Sequence, residues 1–404
     1  MATLTELRSM QAESDTWNTR LIGHSDMNGR GDGMQVLKVG RYAYVAHLGT
    51  TDAALSILDC ADPSSPRLVR QTQHPPKTHR HKVQIVGDVL IQNSEAATYY
   101  PSAPDDVPET GLKMFSIEDP TDPREIGFHP VPISGVHRIW YSEEPYAHIA
   151  AWVPNSNERA YQIVDLSEPS APRMAGAWWV PGTDPEDEDR WEPLDPQLRF
   201  HVHGVIPHGD RAYVSCNGAG MAILDISNVA APRFISRINW APPYGGNAHT
   251  SLLLPGRGLV VEVCESVRNT LAEDGDKRIW LIDVREERQP VMISSFPAPV
   301  PPKGSPWSSY DERPLRFGPH NCHENRPGSF YSETRIYSTW FNAGLRITDI
   351  SDPDRPTDVG YFVPPTPPGS EAPQINDLFV DADGLIYLTD RYTGGMYVVE
   401  YTGG

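Results

Sequence analysis

Short apolar runs, each closed by glycine, proline, asparagine or aspartate, recur along the whole chain. None carries the 3.6-residue period of a long amphipathic helix, and the spacing predicts many short strands joined by tight turns. The first full set of strands is expected at 34–39, 41–47, 54–59 and 67–72. Residues 1–16 read as an extension or a short helix, and a lone strand is expected near 17–22.

The third strand of each set ends in an aspartate with a proline seven positions later: Asp59 and Pro66, Asp165 and Pro172, Asp225 and Pro232, Asp283 and Pro290, Asp349 and Pro356. One further copy has Ser116 before Pro123. The aspartate side chain can accept from backbone amides just after it, while the proline presets φ where the next strand begins. A repeated unit of this length with four strands describes a propeller blade. Blades are expected to start near Gly33, His81, His137, His203, His249, His323 and Asp377. The predicted fold is therefore all-β: a seven-bladed β-propeller of four-stranded antiparallel blades spanning 17–404 as a single domain. The last blade lacks an outer strand, which the strand near 17–22 is expected to supply, closing the ring.

Most innermost strands are headed by a histidine: His81, His137, His203, His249, and either His320 or His323. His201, two residues before His203, is the alternate there. Equivalent positions on successive blades converge, so imidazoles distant in sequence can meet without an HxxxH motif. Neutral imidazole is a ligand for Fe, Cu, Zn and Mn, and these residues are the expected donors to a divalent transition metal. Glu95, Glu262, Glu265 and Glu324 fall near the same strand ends, as partners of metal-bound histidines or as a general base. His24, His47, Asn342, Asp390 and Arg391 are candidate substrate contacts. Arg138 and Lys82 follow two of the histidines and are expected to point away from them. His74, His79, His129, His148 and His208 are out of register and read as structural or exposed. Long insertions at 99–111, 181–198, 266–276 and 297–319 are all expected on the histidine face.

Composition narrows the partners. The formal charge of −19 argues against nucleic acid and anionic membranes. No apolar run approaches the roughly 20 residues of a membrane span, and no secretory signal is visible at the N-terminus. Cys60, Cys216, Cys264 and Cys322 form no CxxC pair, and a cytoplasmic protein with reduced thiols is expected. There is no G-x-S-x-G elbow, P-loop or G-x-G-x-x-G after a strand.

The segments Ile163–Leu166, Leu224–Ser227 and Thr348–Ser351 resemble those of the LVIVD-repeat β-propellers, a resemblance covering roughly residues 20–402. The stretch Gly344–Pro356 is more distantly similar to the selenium-binding-protein and methanethiol-oxidase propellers, which implies histidine-held copper; no individual ligand is carried over. The expectation is a metal-dependent enzyme acting on a small organic molecule, with an Fe- or Cu-dependent oxidoreductase slightly favoured. Zn- or Mn-dependent hydrolase, lyase or isomerase chemistry is the first alternative. A non-catalytic scaffold with a structural metal is the second.

Overall fold

The structure, a computed structural model, describes residues 2–97, 109–153, 158–183, 187–191 and 198–404. The insertion expected at 99–111 and the acidic stretch at 181–198 fall largely outside the described residues. The chain forms two compact units: Met1–Thr72 with Glu265–Leu281 and Ile293–Gly404, and Gln73–Cys264 with Ile282–Met292.

The second unit is built of antiparallel sheets. In the first, Val83–Val86 and Thr78–His79 both pair with Val89–Ala96, followed by Gly111–Ser116 and Arg124–Pro130. The next two sheets are four-stranded, Val136–Trp140 to Arg173–Trp178 and Gly204–His208 to Arg233–Ile238. A hairpin of Ala248–Leu254 and Leu259–Cys264 follows. The apolar core lies between neighbouring sheets, where Tyr161, Ile163, Val202, Val205 and Leu224 form one buried cluster.

The first unit holds the sheet that begins with Gly33–Val39, Tyr42–His47 and Ala53–Asp59, all matching the expected strands to within a residue. It also holds a larger sheet containing Arg335–Phe341, Leu345–Asp349 and Thr357–Val363, and Ile375–Val380, Leu385–Asp390 and Met396–Tyr401. The N-terminal strand Thr19–Ser25 pairs antiparallel with Met396–Tyr401 and is the fourth strand of that last set. Before it, Leu4–Glu13 is a helix capped by Thr3 and Glu6 in a reciprocal capping box, with Leu7 buried against the sheet.

The repeat turn works as its chemistry requires. Asp59, Asp165, Asp225, Asp283 and Asp349 each accept from the backbone amide two residues on, at 2.7–3.1 Å. The hydroxyl of Ser116 makes the same contact at a longer 3.4 Å. On the outer strands a glycine admits the turn of the next repeat: a Cβ on Gly176 would lie 1.9 Å from the Val229 carbonyl oxygen. Gly23, on the N-terminal strand, stands in the same relation to Pro63, at 2.1 Å, which marks that strand as an outer one.

Candidate metal centre

The innermost strands of the second unit are interrupted at their histidines. Val136 pairs with Ala151 and Arg138 with Ala150, leaving His137 as the extra residue of a bulge. Ala248 pairs with Cys264 and Thr250 with Val263, leaving His249 extra in the same way. A bulge bends its strand and re-aims a side chain that would otherwise alternate with its neighbours. His81 and His203 stand just before their strands; the Lys82 amide bonds to the Asn93 side chain at 2.8 Å, and the His203 amide to the Ser215 carbonyl.

The four imidazoles form a row. Ring centroids are 5.1 Å apart from His81 to His137, 4.8 Å from His137 to His203 and 4.2 Å from His203 to His249. His79 extends the row, 4.6 Å from His81. It was expected to be structural or exposed; instead it is buried and lies directly across the ladder from Glu95. Directly opposed residues share a face of the sheet, and the His79 Nε2 sits 2.9 Å from Glu95 Oε2.

Glu95 is the hub of this arrangement. Its fully buried carboxylate accepts from His137 Nδ1 at 2.9–3.0 Å and lies 3.8 Å from His81 Nδ1. The proton given to Glu95 by His137 Nδ1 leaves a lone pair on its Nε2, which faces His203 Nε2 at 3.1 Å. Asn93 Nδ2 approaches His81 Nδ1 at 3.1 Å, and His81 Nε2 is buried with no hydrogen-bond partner among the described residues. Burial, reinforced by neighbouring His79, Lys82, His203 and Arg159 charges, holds His81 well below the ordinary imidazole range; His137 and His203 are held down for the same reasons. Neutral rings are the form in which imidazole ligates.

His79, His81 and Glu95 each offer a donor atom within 4.8 Å of the others, a group that could hold a metal ion. Two nitrogens and a carboxylate oxygen suit a first-row divalent cation; ligands at about 2.1 Å in tetrahedral array stand about 3.4 Å apart. The His81 nitrogen beside Glu95 is Nδ1, at 3.8 Å, and in this structure it accepts from the Asn93 side-chain amide. In that group a carboxylate joins two imidazoles, and His81, His137, His203 and His249 stand in a row.

Just after the bulge at His137, Arg138 Nη1 reaches His249 at 2.9–3.0 Å. His201 is engaged by the Glu158 carboxylate and, at 2.6 Å, by Arg159 Nη2. It precedes the strand, so the expected same-side alternation with His203 does not govern it. Glu262 accepts from Ser251 at 2.5 Å and Ser215 at 3.2 Å, and burial pushes its carboxyl up to about 8.

The remaining candidates lie in the first unit. His320 gives its Nδ1 contact to the Asn376 carbonyl and lies 3.8 Å from Glu265, which also approaches Arg316 at 3.6 Å. His320, Arg316 and Arg391 surround the ring of Phe341, at 5.1, 5.6 and 5.6 Å. His323 has both nitrogens occupied, by the Tyr337 amide and by Asn325 at 3.1 Å each, whereas His320 stands beside the Glu265 carboxylate. Glu324 pairs with Arg326 at 3.2 Å rather than with an imidazole. Asn342 donates to the carbonyls of Tyr310, Arg313 and Pro314 and pins the long loop before it. The Asp390 carboxylate is filled by the amides of Gln374, Tyr392, Thr393 and Gly394. His24 bonds the Gly394 carbonyl, and His47 is held between Asp32 and Ser56.

Residues 30–73, 136–178, 201–239 and 336–362 match the LVIVD repeat. No curated protein matches the chain. Among solved structures it is similar to a functionally unknown protein from Desulfotomaculum acetoxidans DSM 771, at 15% identity and a TM-score of 0.54 over 87% of this chain and 89% of that one. A chain of the Mitotic Checkpoint Complex aligns at 11% identity and 0.56 over 96% and 95%. Sqt1 of Saccharomyces cerevisiae aligns at 8% and 0.50 over 90% and 82%. At these identities the likeness concerns fold alone. No helix among the described residues is long and apolar enough to cross a membrane.

Proposed function

We propose that this chain, which carries LVIVD repeats in four regions of a propeller-like all-β fold, is a metal-dependent enzyme acting on a small organic substrate beside the imidazole row. One observation carries this reading: the buried Glu95 carboxylate bonds His79 and His137 and lies 3.8 Å from His81, and His79, His81 and Glu95 form a group that could hold a metal ion. The reading takes 17–404 as one seven-bladed domain working in the cytoplasm, where the four buried cysteines stay reduced.

In this proposal His79, His81 and Glu95 hold a divalent transition metal, which supplies Lewis acidity or electron transfer. His137 is oriented by its Nδ1 bond to Glu95 and presents Nε2 as a proton acceptor. Arg138 gives a fixed positive charge for a substrate oxyanion. Glu262, kept protonated by burial at neutral pH, is a proton store behind His249. The neutral, imidazole-rich surroundings favour redox over hydrolytic chemistry slightly, in keeping with the distant methanethiol-oxidase resemblance.

Elemental analysis and optical spectroscopy of tag-free protein test the reading. The expected result is Fe or Cu in the wild type and its loss from His81→Ala and Glu95→Gln. A colourless zinc protein moves the reaction from redox to hydrolase, lyase or isomerase chemistry. Metal content unchanged in both variants overturns the site.

A further inference from the structure

Residues 296–302, Phe-Pro-Ala-Pro-Val-Pro-Pro, are held in one conformation by their own chemistry: every one of them is a proline or stands directly before one. Proline fixes φ, and the residue before it is driven out of the helical region into extended backbone. The segment is neither helix nor strand. Such a run takes up polyproline II, a left-handed helix of about three residues per turn with no internal hydrogen bonds. Burial follows that period. Phe296 and Pro299 are buried, whereas Ala298 and Val300 are exposed and Pro297 and Pro301 half-buried. The helix thus lies on the first unit by one edge and shows its other two. The Phe296 amide ties its start to the Ile279 carbonyl at 2.9 Å, and its end turns at Pro302, whose carbonyl accepts from the Ser305 amide at 3.0 Å.

Two hollows flank this ridge, both wholly within the first unit. One, of about 370 Å³, extends from Pro297 to Trp17 and Tyr361. The other, of about 510 Å³, extends from Pro301 to Phe317 and Trp340. Ala298 and Val300 line both, so the ridge stands between them. Val300 is its crest: with 73% of its surface uncovered, it is the most exposed large apolar side chain among the described residues.

The backbone of the ridge is rich in acceptors and poor in donors. Between Phe296 and Lys303 only Ala298 and Val300 carry an N–H, and among the described residues the carbonyls of 297–301 accept no hydrogen bond. A strand adding to a sheet needs a regular row of donors, which this segment lacks. A partner must instead bring donors together with flat apolar surface. Trp and Tyr supply both, since the ring packs on an apolar face while its N–H or O–H donates. Aromatic-lined grooves read proline-rich helices in this way, at low ordering cost because the helix is preformed. Rings on either wall of such a groove would enter the two hollows. Lys303, exposed where the ridge ends, is a cation in a chain of net charge −19 and suits an acidic rim on the partner.

We propose that residues 296–302 are a docking ridge for a partner domain with an aromatic-lined groove for polyproline II helices and an acidic rim at the Lys303 end. Pro297 with Ala298 and Val300 with Pro301, one turn apart, fill neighbouring slots of that groove. The test titrates the full chain into isotope-labelled SH3, WW and EVH1 domains, three groove types of this chemistry, followed by NMR. At least one is expected to bind at about 0.1 mM or tighter, with shifts confined to its groove and reversed by decaproline. Val300→Glu, at an exposed position, is expected to weaken that binding at least about tenfold, or about 1.4 kcal/mol. Lys303→Glu is expected to weaken it about threefold or more. Val291→Glu, which places the same charge on another exposed valine, is expected to bind as the wild type does. No shift with any of the three domains, shifts outside the groove, or a Val300→Glu variant that binds like the wild type overturns the proposal.

Discussion

Two buried carboxylate–histidine clusters, one in each unit, use the same residue types and end in different states. In the first unit Asp32, His47 and Ser56 are all fully buried. His47 reaches Asp32 with Nδ1 at 2.8 Å and Ser56 with Nε2 at 2.7 Å. Asp32 also takes the amides of Gly49, Thr50 and Thr51 and both threonine hydroxyls, and Gln71 donates to Ser56. One carboxylate serves one imidazole, and both ring nitrogens are mated. In the second unit one carboxylate bonds two imidazoles and lies 3.8 Å from a third, and His81 Nε2 has no hydrogen-bond partner among the described residues. The lesson is a matter of partner accounting: in the Asp32 cluster both ring nitrogens are bonded, while His79, His81 and Glu95 form a group that could hold a metal ion.

That contrast can be broken by measurement. The largest effect is expected from Asp32→Ala, which strands a buried imidazole and five donors. It should lower the unfolding free energy by about 3–5 kcal/mol in urea titration, without changing metal content. Metal loss at preserved stability would reverse the assignment of the two clusters. Glu95→Gln, which removes a proposed ligand, should weaken metal binding at least about 100-fold, or about 2.7 kcal/mol, read by competition with a chelator.

A smaller effect concerns pH. Burial raises the Asp32 carboxyl, but its bonds to His47, Thr50 and Thr51 outweigh that and hold it at about 2, below the ordinary value of about 3.9. A depressed folded-state value means stability present above the unfolded value and lost as the carboxylate protonates. The gap between wild type and Asp32→Asn should therefore be about 2 kcal/mol above about pH 4 and close as pH falls toward about 2. A gap that does not narrow below pH 4 would show that Asp32 acts by packing rather than by charge. The smallest effect is expected from Ser56→Ala, about 1 kcal/mol for one of several bonds in the complete cluster, with metal content again unchanged.

The repeat was legible because its turn is local chemistry. An aspartate that must accept from an amide two residues on, followed by a proline with a preset φ, leaves the same mark each time, and Ser116 shows how a shorter side chain weakens the contact. His81, His137, His203 and His249 were legible for a related reason, since each heads an innermost strand. His79 was not: its one signal was alternation with His81, and its meaning depends on a two-residue strand pairing with Glu95 and Ala96. The contact of Arg138 with His249 left no local mark either, because it joins residues of different sheets. His323 and Glu324 matched the pattern by position, but local partners in the first unit, Tyr337, Asn325 and Arg326, claim them.

By itself, then, the sequence determined the all-β repeat, the turn that punctuates it and the histidines that begin successive strands, because each depends on residues close together in the chain. Only the tertiary structure decided that Glu95 is the shared carboxylate and that His79 joins it. Those are meetings between strands, set by register and bulges. A one-residue shift in pairing moves a side chain to the other face of its sheet, and no local spacing records which pairing the fold adopts.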